Sequence, residues 1–231
     1  MNFDAVPGNL AQVREDIARI QAHEGLSGNI TIVAVTKGHP PEAARAACRS
    51  GLPDLGENRV QEALAKMDEL PDLPVHWHLV GHLQTNKAKF VPGRFTMVHS
   101  IDSVRVAEAL NRAMKRRSEG AVLPVLLQVN VGGEAQKSGC DPAEVEELAG
   151  QVVTLPTLEL RGLMTMAPFT DDENVQRRVF RGLRRLREQL QSTGLALPEL
   201  SMGMSDDFRA AVAEGASILR LGTVLFGERP L

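Results

Sequence analysis

The sequence predicts an α/β protein that folds as a single (β/α)₈ barrel, also called a TIM barrel. Short apolar runs alternate with amphipathic stretches along almost all of the 231 residues. This alternation is typical of parallel strands joined by right-handed helical crossovers. Eight strand candidates in a chain of this length fit a closed barrel. A doubly wound open sheet has the same alternation, so the strand pattern alone leaves both architectures open.

Each predicted strand is a short apolar run that ends at Gly, Pro or polar residues. The first run is the clearest, because it is followed directly by Lys37, Gly38, His39 and two prolines. The predicted strands span residues 30–36, 53–56, 75–80, 96–100, 122–130, 158–165, 199–202 and 217–221.

The stretches between these strands repeat their apolar residues at helical spacing. An extra helix at 10–23 precedes the first strand, and the segment 82–90, between the third and fourth strands, is short. No linker, internal repeat or low-complexity segment divides the chain, so one domain over residues 1–231 is expected. The other predicted helices span residues 41–50, 60–70, 104–117, 142–154, 174–192 and 207–214.

Composition restricts the classes of partner. A formal net charge of -3 provides no basic field for nucleic acid or an anionic membrane, so a small-molecule ligand is expected. The two cysteines, Cys48 and Cys140, lack metal-ligand spacing and indicate free thiols in a reducing compartment. No leader-like or membrane-spanning stretch is present in the sequence, which favours a cytoplasmic location.

Lys37 is the most informative candidate site residue. It follows a strand that is apolar on both faces, where a cationic side chain is expensive to desolvate unless an amine is needed there. For this segment by itself, the alternative is a lysine that merely extends to water.

Polar residues follow the other strands at the same edge, and in a barrel these edges converge on the C-terminal face. The loops after strands seven and eight of such barrels often hold a phosphate. Here Ser205 precedes a helix whose amides could point at an anion, Gly222 allows close backbone approach and Thr223 adds a hydroxyl. Each also has an ordinary interpretation as a helix cap or a turn.

Lys37, the two phosphate-binding segments and Arg220 together suit pyridoxal 5'-phosphate (PLP), held as a Schiff base on the lysine. Burial lowers the pKa of a lysine toward the neutral amine that the aldehyde requires. An arginine at the pyridine nitrogen cannot accept the ring proton, so the cofactor would be a weak electron sink. This favours racemisation or simple holding of the cofactor over transamination.

Several longer strings resemble the pyridoxal phosphate homeostasis protein family, and the resemblance covers nearly the whole chain in order. The resembling strings are AVTK at 34–37, GENRVQE at 56–62, WHLVGHLQTNK at 77–87, HSID at 99–102, QVN at 128–130, KSG at 137–139, GLMTM at 162–166, SMGMSDDF at 201–208 and RLGT at 220–223.

The resemblance implies a fold-type III PLP-binding barrel, similar to the N-terminal domain of alanine racemase but without the second β-domain of the true racemases. By that likeness Lys37 carries the cofactor, and Arg220 lies near either the pyridine nitrogen or the phosphate. The other implied cofactor-binding residues are Asn58, which lines the pocket, and Ser205, Gly222 and Thr223, which contact the phosphate.

The resemblance also implies a role. Members are thought to bind and deliver PLP and to balance vitamin B6 and amino acid pools, without an established catalytic reaction. Recipients would be PLP-dependent apo-enzymes, and a monomer is expected because the racemase dimer-forming parts are missing. The alternative is a fold-type III enzyme such as an amino acid racemase. The chain contains no tyrosine to act as a racemase base, which leaves His82, His99 and Cys140 as substitutes.

A metal site is the competing interpretation of the histidines. His76 and His78 share a strand face and, with His82, could suggest a barrel hydrolase. Other strand ends offer Asn130 and Arg220, which are poor zinc ligands, so no metal is expected.

Overall fold

The computed structural model describes residues 3–117, 120–134 and 138–228, and it forms a closed barrel of eight parallel strands. Each strand pairs with its neighbours in chain order, and β8 pairs with β1, which confirms the barrel over the open sheet. The strands are β1 Thr31–Val35, β2 Asp54–Glu57, β3 His76–Leu79, β4 Met97–Ile101, β5 Leu123–Gln128, β6 Leu158–Met164, β7 Glu199–Ser201 and β8 Ile218–Leu221.

Helices join the strands, and the extra helix before β1 is confirmed. It begins at Val6, earlier than predicted, because Pro7 suits a first helical turn, and it ends where Gly25 adopts a left-handed conformation. The helices are α1 Val6–Glu24, α2 Pro41–Arg49, α3 Val60–Asp68, α4 Val104–Arg117, α5 Val145–Val152, α6 Glu173–Ser192, α7 Phe208–Ala213 and α8 Thr223–Phe226.

Four elements differ from the sequence prediction. The segment between β3 and β4 is a 3₁₀ helix, Thr85–Phe90, and a 3₁₀ turn, Pro142–Glu144, precedes α5. The short helix α8 was not predicted at all. The predicted strand 122–130 is too long, since β5 ends at Gln128 and the Asn130 amide beyond it donates to the Cys140 carbonyl instead of to β6. Lys137, in one of the resembling strings, lies outside the described residues.

The core has two parts. The larger lies between the barrel and its helices, and the smaller fills the barrel with Val33, Leu126, Met164 and Ile218. Because successive side chains of a strand point to opposite faces, the residues on either side of each of these in its own strand point outward to the helices. This packed interior closes the barrel below its C-terminal ends, so a ligand site must lie at the mouth.

Within the described ranges, no helix is long and apolar enough to cross a membrane.

Candidate functional site

A cavity of about 400 Å³ lies at the C-terminal ends of the strands. All six residues predicted to bind the cofactor line it, so one cavity brings together positions on or just after β1, β2, β7 and β8. The lining residues are Val35, Lys37, Asn58, Val80, Gly81, His82, Gln128, Ser138, Met166, Met204, Ser205, Asp206, Arg220, Gly222 and Thr223.

Lys37 is half-buried at this cavity, rather than on an outer surface of the barrel. The backbone before it is held on both sides. The amide of Thr36 donates to the carbonyl of Gly56 at 3.0 Å, and the carbonyl of Thr36 accepts from the amide of His39 at 3.0 Å. The Lys37 side chain is therefore carried on a fixed strand end at the cavity.

A buried ion pair supports the strand end from behind. Lys66 Nζ donates to the Thr36 carbonyl at 2.7 Å and to Glu57 Oε1 at 2.5 Å, and Thr36 Oγ1 donates to the same oxygen at 2.6 Å. Glu57 is fully buried, and Lys66 is 8% exposed. This buried cluster links α3 to β1 and β2 directly behind Lys37, and the sequence prediction had missed it.

Asn58 contributes an unsatisfied acceptor to the cavity. Its side-chain oxygen is buried, and no described residue donates a hydrogen bond to it. A buried acceptor without a partner carries a desolvation penalty of about 1–3 kcal/mol. Its position in the lining fits a ligand or a water that supplies the missing donor.

The loops after β7 and β8 form a cradle of donors. Two backbone amides, those of Gly222 and Val224, converge on Ser205 Oγ at 3.3 and 3.1 Å. A Cβ at Gly222 would lie 3.3 Å from the Val35 carbonyl, so the absence of a side chain allows β8 to approach β1 closely there. Converging amides beside hydroxyl groups suit an anion, and Thr223 lies at the same edge of the cavity.

Arg220 lies beneath the mouth and is 4% exposed. Its guanidinium donates to Ser201 Oγ at 2.8 Å and to the Thr165 carbonyl at 2.9 Å. Burial lowers the pKa of Arg220 to about 10, and the Asp207 carboxylate opposes the shift. At neutral pH the side chain is therefore still a cation, held in one orientation.

Asp207 is the nearby carboxylate that interacts with Arg220. Burial raises the pKa of Asp207 above its usual value. The hydrogen bond from the Met204 amide, at 2.5 Å, and the Arg220 charge act in the opposite direction but do not outweigh burial. The turn between β7 and Asp207 requires Gly203, which has φ of 95°, and a Cβ there would lie 2.6 Å from that of Ala211. The Gly203 carbonyl also accepts from the Arg220 amide at 3.0 Å, so this turn positions the arginine.

Of the three candidate bases, only His82 lines the cavity. Its Nδ1 lies 3.0 Å from Asp102 Oδ2. Cys140 is buried away from the lining, and burial raises the pKa of its thiol to about 12. His99 is fully buried inside the barrel.

The histidines considered as zinc ligands are separated. His76 and His78 both contact Asp54 at the N-terminal end of the barrel, whereas His82 pairs with Asp102 at the mouth. Over residues 3–117, 120–134 and 138–228, no group of three or more His, Cys, Asp or Glu side chains is arranged to hold a metal.

The family model described as the alanine racemase N-terminal domain matches residues 8–230. The pyridoxal phosphate homeostasis protein of Pseudomonas aeruginosa is 44% identical over 98% of this chain and 97% of its own length. The protein of that name from Aquifex aeolicus is 43% identical over 95% and 96%. This chain belongs to the pyridoxal phosphate homeostasis protein family. The family is the one that the strings in the sequence resemble.

Solved structures agree on the fold. PipY of Synechococcus elongatus, solved with PLP bound, superposes with a TM-score of 0.84 at 38% identity, over 96% of this chain and all of that one. The same protein without PLP gives 0.86 at 39% identity, with the same coverage. Alanine racemase of Clostridium difficile gives 0.77 at 18% identity, and this family member covers 58% of it. The likeness to the racemase shows the fold alone.

Proposed function

We propose that this protein binds PLP covalently through Lys37 and serves intracellular PLP homeostasis. The observation that carries the proposal is the shared cavity, which holds an amine, a buried guanidinium and a cradle of amides and hydroxyls at one barrel mouth. This donor set matches the aldehyde, the ring and the phosphate of PLP, and the name of the family agrees with it.

Lys37 would attach the cofactor. Its amine would form the covalent link to the aldehyde of PLP, with release of one water. When bound, PLP would supply an electron-withdrawing ring. The buried cluster behind Thr36 holds the backbone next to Lys37 in place at the cavity.

Ser205, Gly222 and Thr223 would hold the phosphate, since the amides beside Ser205 Oγ already converge on an oxygen atom. Asn58 Oδ1 would accept a hydrogen bond at the cofactor side of β2. We assign Arg220 to the pyridine nitrogen, because it lies on β8 beneath the mouth, whereas the cradle is in the loops. A guanidinium there cannot take up the ring proton, which limits the ring as an electron sink.

Holding and delivery of PLP fit the chain better than turnover. The chain has no tyrosine to act as a racemase base, and its relatives are named pyridoxal phosphate homeostasis proteins. We propose PLP-dependent apo-enzymes as recipients, and a monomer as the working form.

Borohydride reduction followed by peptide mass mapping tests the attachment. The reduced protein should carry one pyridoxyl group on Lys37, and Lys37→Ala should carry none. Lys89→Ala is the matched control, because Lys89 is exposed and outside the cavity lining, and it should retain the adduct. An adduct on another lysine in the wild-type protein would refute the assignment.

A fold-type III enzyme remains the second candidate, favoured by the pair of His82 and Asp102. A carboxylate at Nδ1 holds that nitrogen protonated and leaves Nε2 able to accept a proton. Chiral chromatography of L-alanine incubated with the PLP-loaded protein tests this function. Racemisation that is lost in both Lys37→Ala and His82→Gln would support the enzyme over the carrier.

A further inference from the structure

Five polar side chains form a continuous hydrogen-bond chain through the barrel interior, from the cofactor cavity to the opposite end. Arg220 donates to Ser201 Oγ at 2.8 Å, and Ser201 Oγ lies 2.9 Å from His99 Nδ1. His99 Nε2 lies 3.0 Å from His78 Nδ1, and His78 Nε2 lies 3.1 Å from Asp54 Oδ1. Asp54 begins β2 at the N-terminal end of the barrel, and Arg220 lies at the other end, on β8.

The chemistry of the two ends fixes the direction of every bond. A guanidinium only donates, so the hydroxyl hydrogen of Ser201 is available for His99 Nδ1. His99 then carries its proton on Nε2 and donates to His78 Nδ1, and His78 Nε2 donates to the Asp54 carboxylate. If both histidines instead carried their protons on Nδ1, every bond between Ser201 and Asp54 would be reversed. The Ser201 hydrogen would then have no acceptor, and a lone pair on His78 Nε2 would face the Asp54 carboxylate.

The chain therefore joins a buried cation to a carboxylate through neutral groups. Burial holds the pKa of His99 well below its usual range, and the Arg220 charge acts in the same direction. Burial alone would raise the pKa of Asp54, but hydrogen bonds from His78 and His76 outweigh it and lower the pKa. Both ends thus keep the charge that the direction of the bonds requires.

The apolar surroundings make this hydrogen-bond chain destabilising to the fold unless each of its polar groups has a hydrogen-bond partner. It runs beside the apolar residues that fill the barrel, and Ser201 and His99 have no exposed surface. A polar group buried there without a partner is destabilising, whereas a fully satisfied network fixes a single arrangement. The arrangement that is fixed here is the orientation of the Arg220 guanidinium.

We infer that Ser201, His99 and His78 are positioning residues that orient Arg220 toward the cofactor, with Asp54 as the anionic end of the chain. This inference rests on the proposed PLP site, since it assigns how one of its groups is held. The NH1 group is held by Ser201 and the NH2 group by Thr165, so the guanidinium cannot rotate without breaking both bonds. A PLP ring at the cavity therefore meets a cation whose direction is set before binding.

Replacing Ser201 tests the inference. In Ser201→Ala, the dissociation constant for PLP, followed by absorbance, should rise on the order of tenfold, because a hydrogen bond to a charged group is lost. Ser201→Thr keeps the hydroxyl and should restore most of the affinity. Ile218→Val is the matched control, because it removes one interior methyl group from the paired strand and should change the constant less than about twofold. Unfolding midpoints of all three variants separate lost positioning from lost stability.

Nitrogen-15 NMR of the histidine rings in the wild-type apo-protein provides a second readout that does not depend on cofactor binding. Both His78 and His99 should be neutral with the proton on Nε2, and the His99→Gln variant assigns the signals. A protonated Nδ1 on His99, or equal PLP affinity in wild type and Ser201→Ala, would overturn the inference. A complete failure of the wild-type protein to bind PLP would instead refute the proposed function. The NMR result would still test the direction of the hydrogen-bond chain in that case.

Discussion

Replacing Lys66 by methionine should destabilise the fold strongly. The change removes one of the two side chains that donate to Glu57 Oε1, while Glu57 Oε2 already has no partner among the described residues. Both side chains are almost inaccessible, at 9% for Lys66 and 0% for Glu57, so solvent screens the lost interaction little. Breaking a buried pair in this way costs about 3–5 kcal/mol. In a chain of this size the loss corresponds to a fall of roughly 6–20 °C in the unfolding midpoint.

A double-mutant cycle in urea measures this loss. Glu57→Gln combined with Lys66→Met removes both charges, and the double variant should recover about 2 kcal/mol or more relative to the sum of the single changes. Arg112→Ala is the matched control. It breaks the exposed pair with Glu108 on α4 and should change the unfolding free energy by about 0.5 kcal/mol or less. A loss below about 1 kcal/mol in Lys66→Met, or additive single changes, would refute the reasoning.

Three further predictions concern the cofactor, pH and assembly. Arg220→Gln should weaken PLP binding, and circular dichroism should show an intact fold. If the affinity for pyridoxal, which has no phosphate, falls by the same factor, the arginine lies at the ring nitrogen. If only the affinity for PLP falls, the arginine lies at the phosphate. Burial would raise the pKa of Glu214, but hydrogen bonds from Arg181 and Arg177 outweigh it and lower the pKa below 4.5. Its stabilising effect is therefore present above pH 4.5 and lost as the pH falls through the folded-state value, so unfolding in Glu214→Gln should depend less on pH in that range. Light scattering should give the mass of one chain, and a dimer would contradict the proposed monomer.

The buried cluster and the interior chain serve the same cavity from two directions. The first holds the strand end that carries Lys37, and the second holds Arg220. Neither group of supporting residues lines the cavity itself, apart from Arg220. A site whose guanidinium and whose lysine backbone are both held before a ligand arrives loses less conformational entropy on binding. This is consistent with a protein that retains a cofactor.

The fold was largely predictable because its signal is local. Apolar runs and helical periodicity depend on near neighbours in sequence, and all eight strands were predicted at the right places. The strand ends were less accurate, since pairing across the barrel determines them. At β5, for example, the regular strand ends at Gln128, and the Asn130 amide beyond it donates to the Cys140 carbonyl. The short helix α8 was missed because four residues carry no periodic pattern.

The cavity lining was also predictable, for a geometric reason. Parallel strands in a barrel all end on one face, so Lys37, Ser205 and Arg220 converge although they are far apart in sequence. The pairing of His82 with Asp102 was not predictable, because it joins two loops whose relative position the sequence pattern does not specify.

The sequence by itself determined the succession of strands and helices, the residues that stand at the strand ends and hence the candidate lysine for the cofactor. Only the tertiary structure decided that β8 closes on β1, that Lys66 pairs with Glu57 and that Arg220 connects through the barrel to Asp54. The physical reason is the range of the interactions. Periodicity records which way a side chain points from its own strand, whereas these contacts depend on which distant strand or helix lies opposite it.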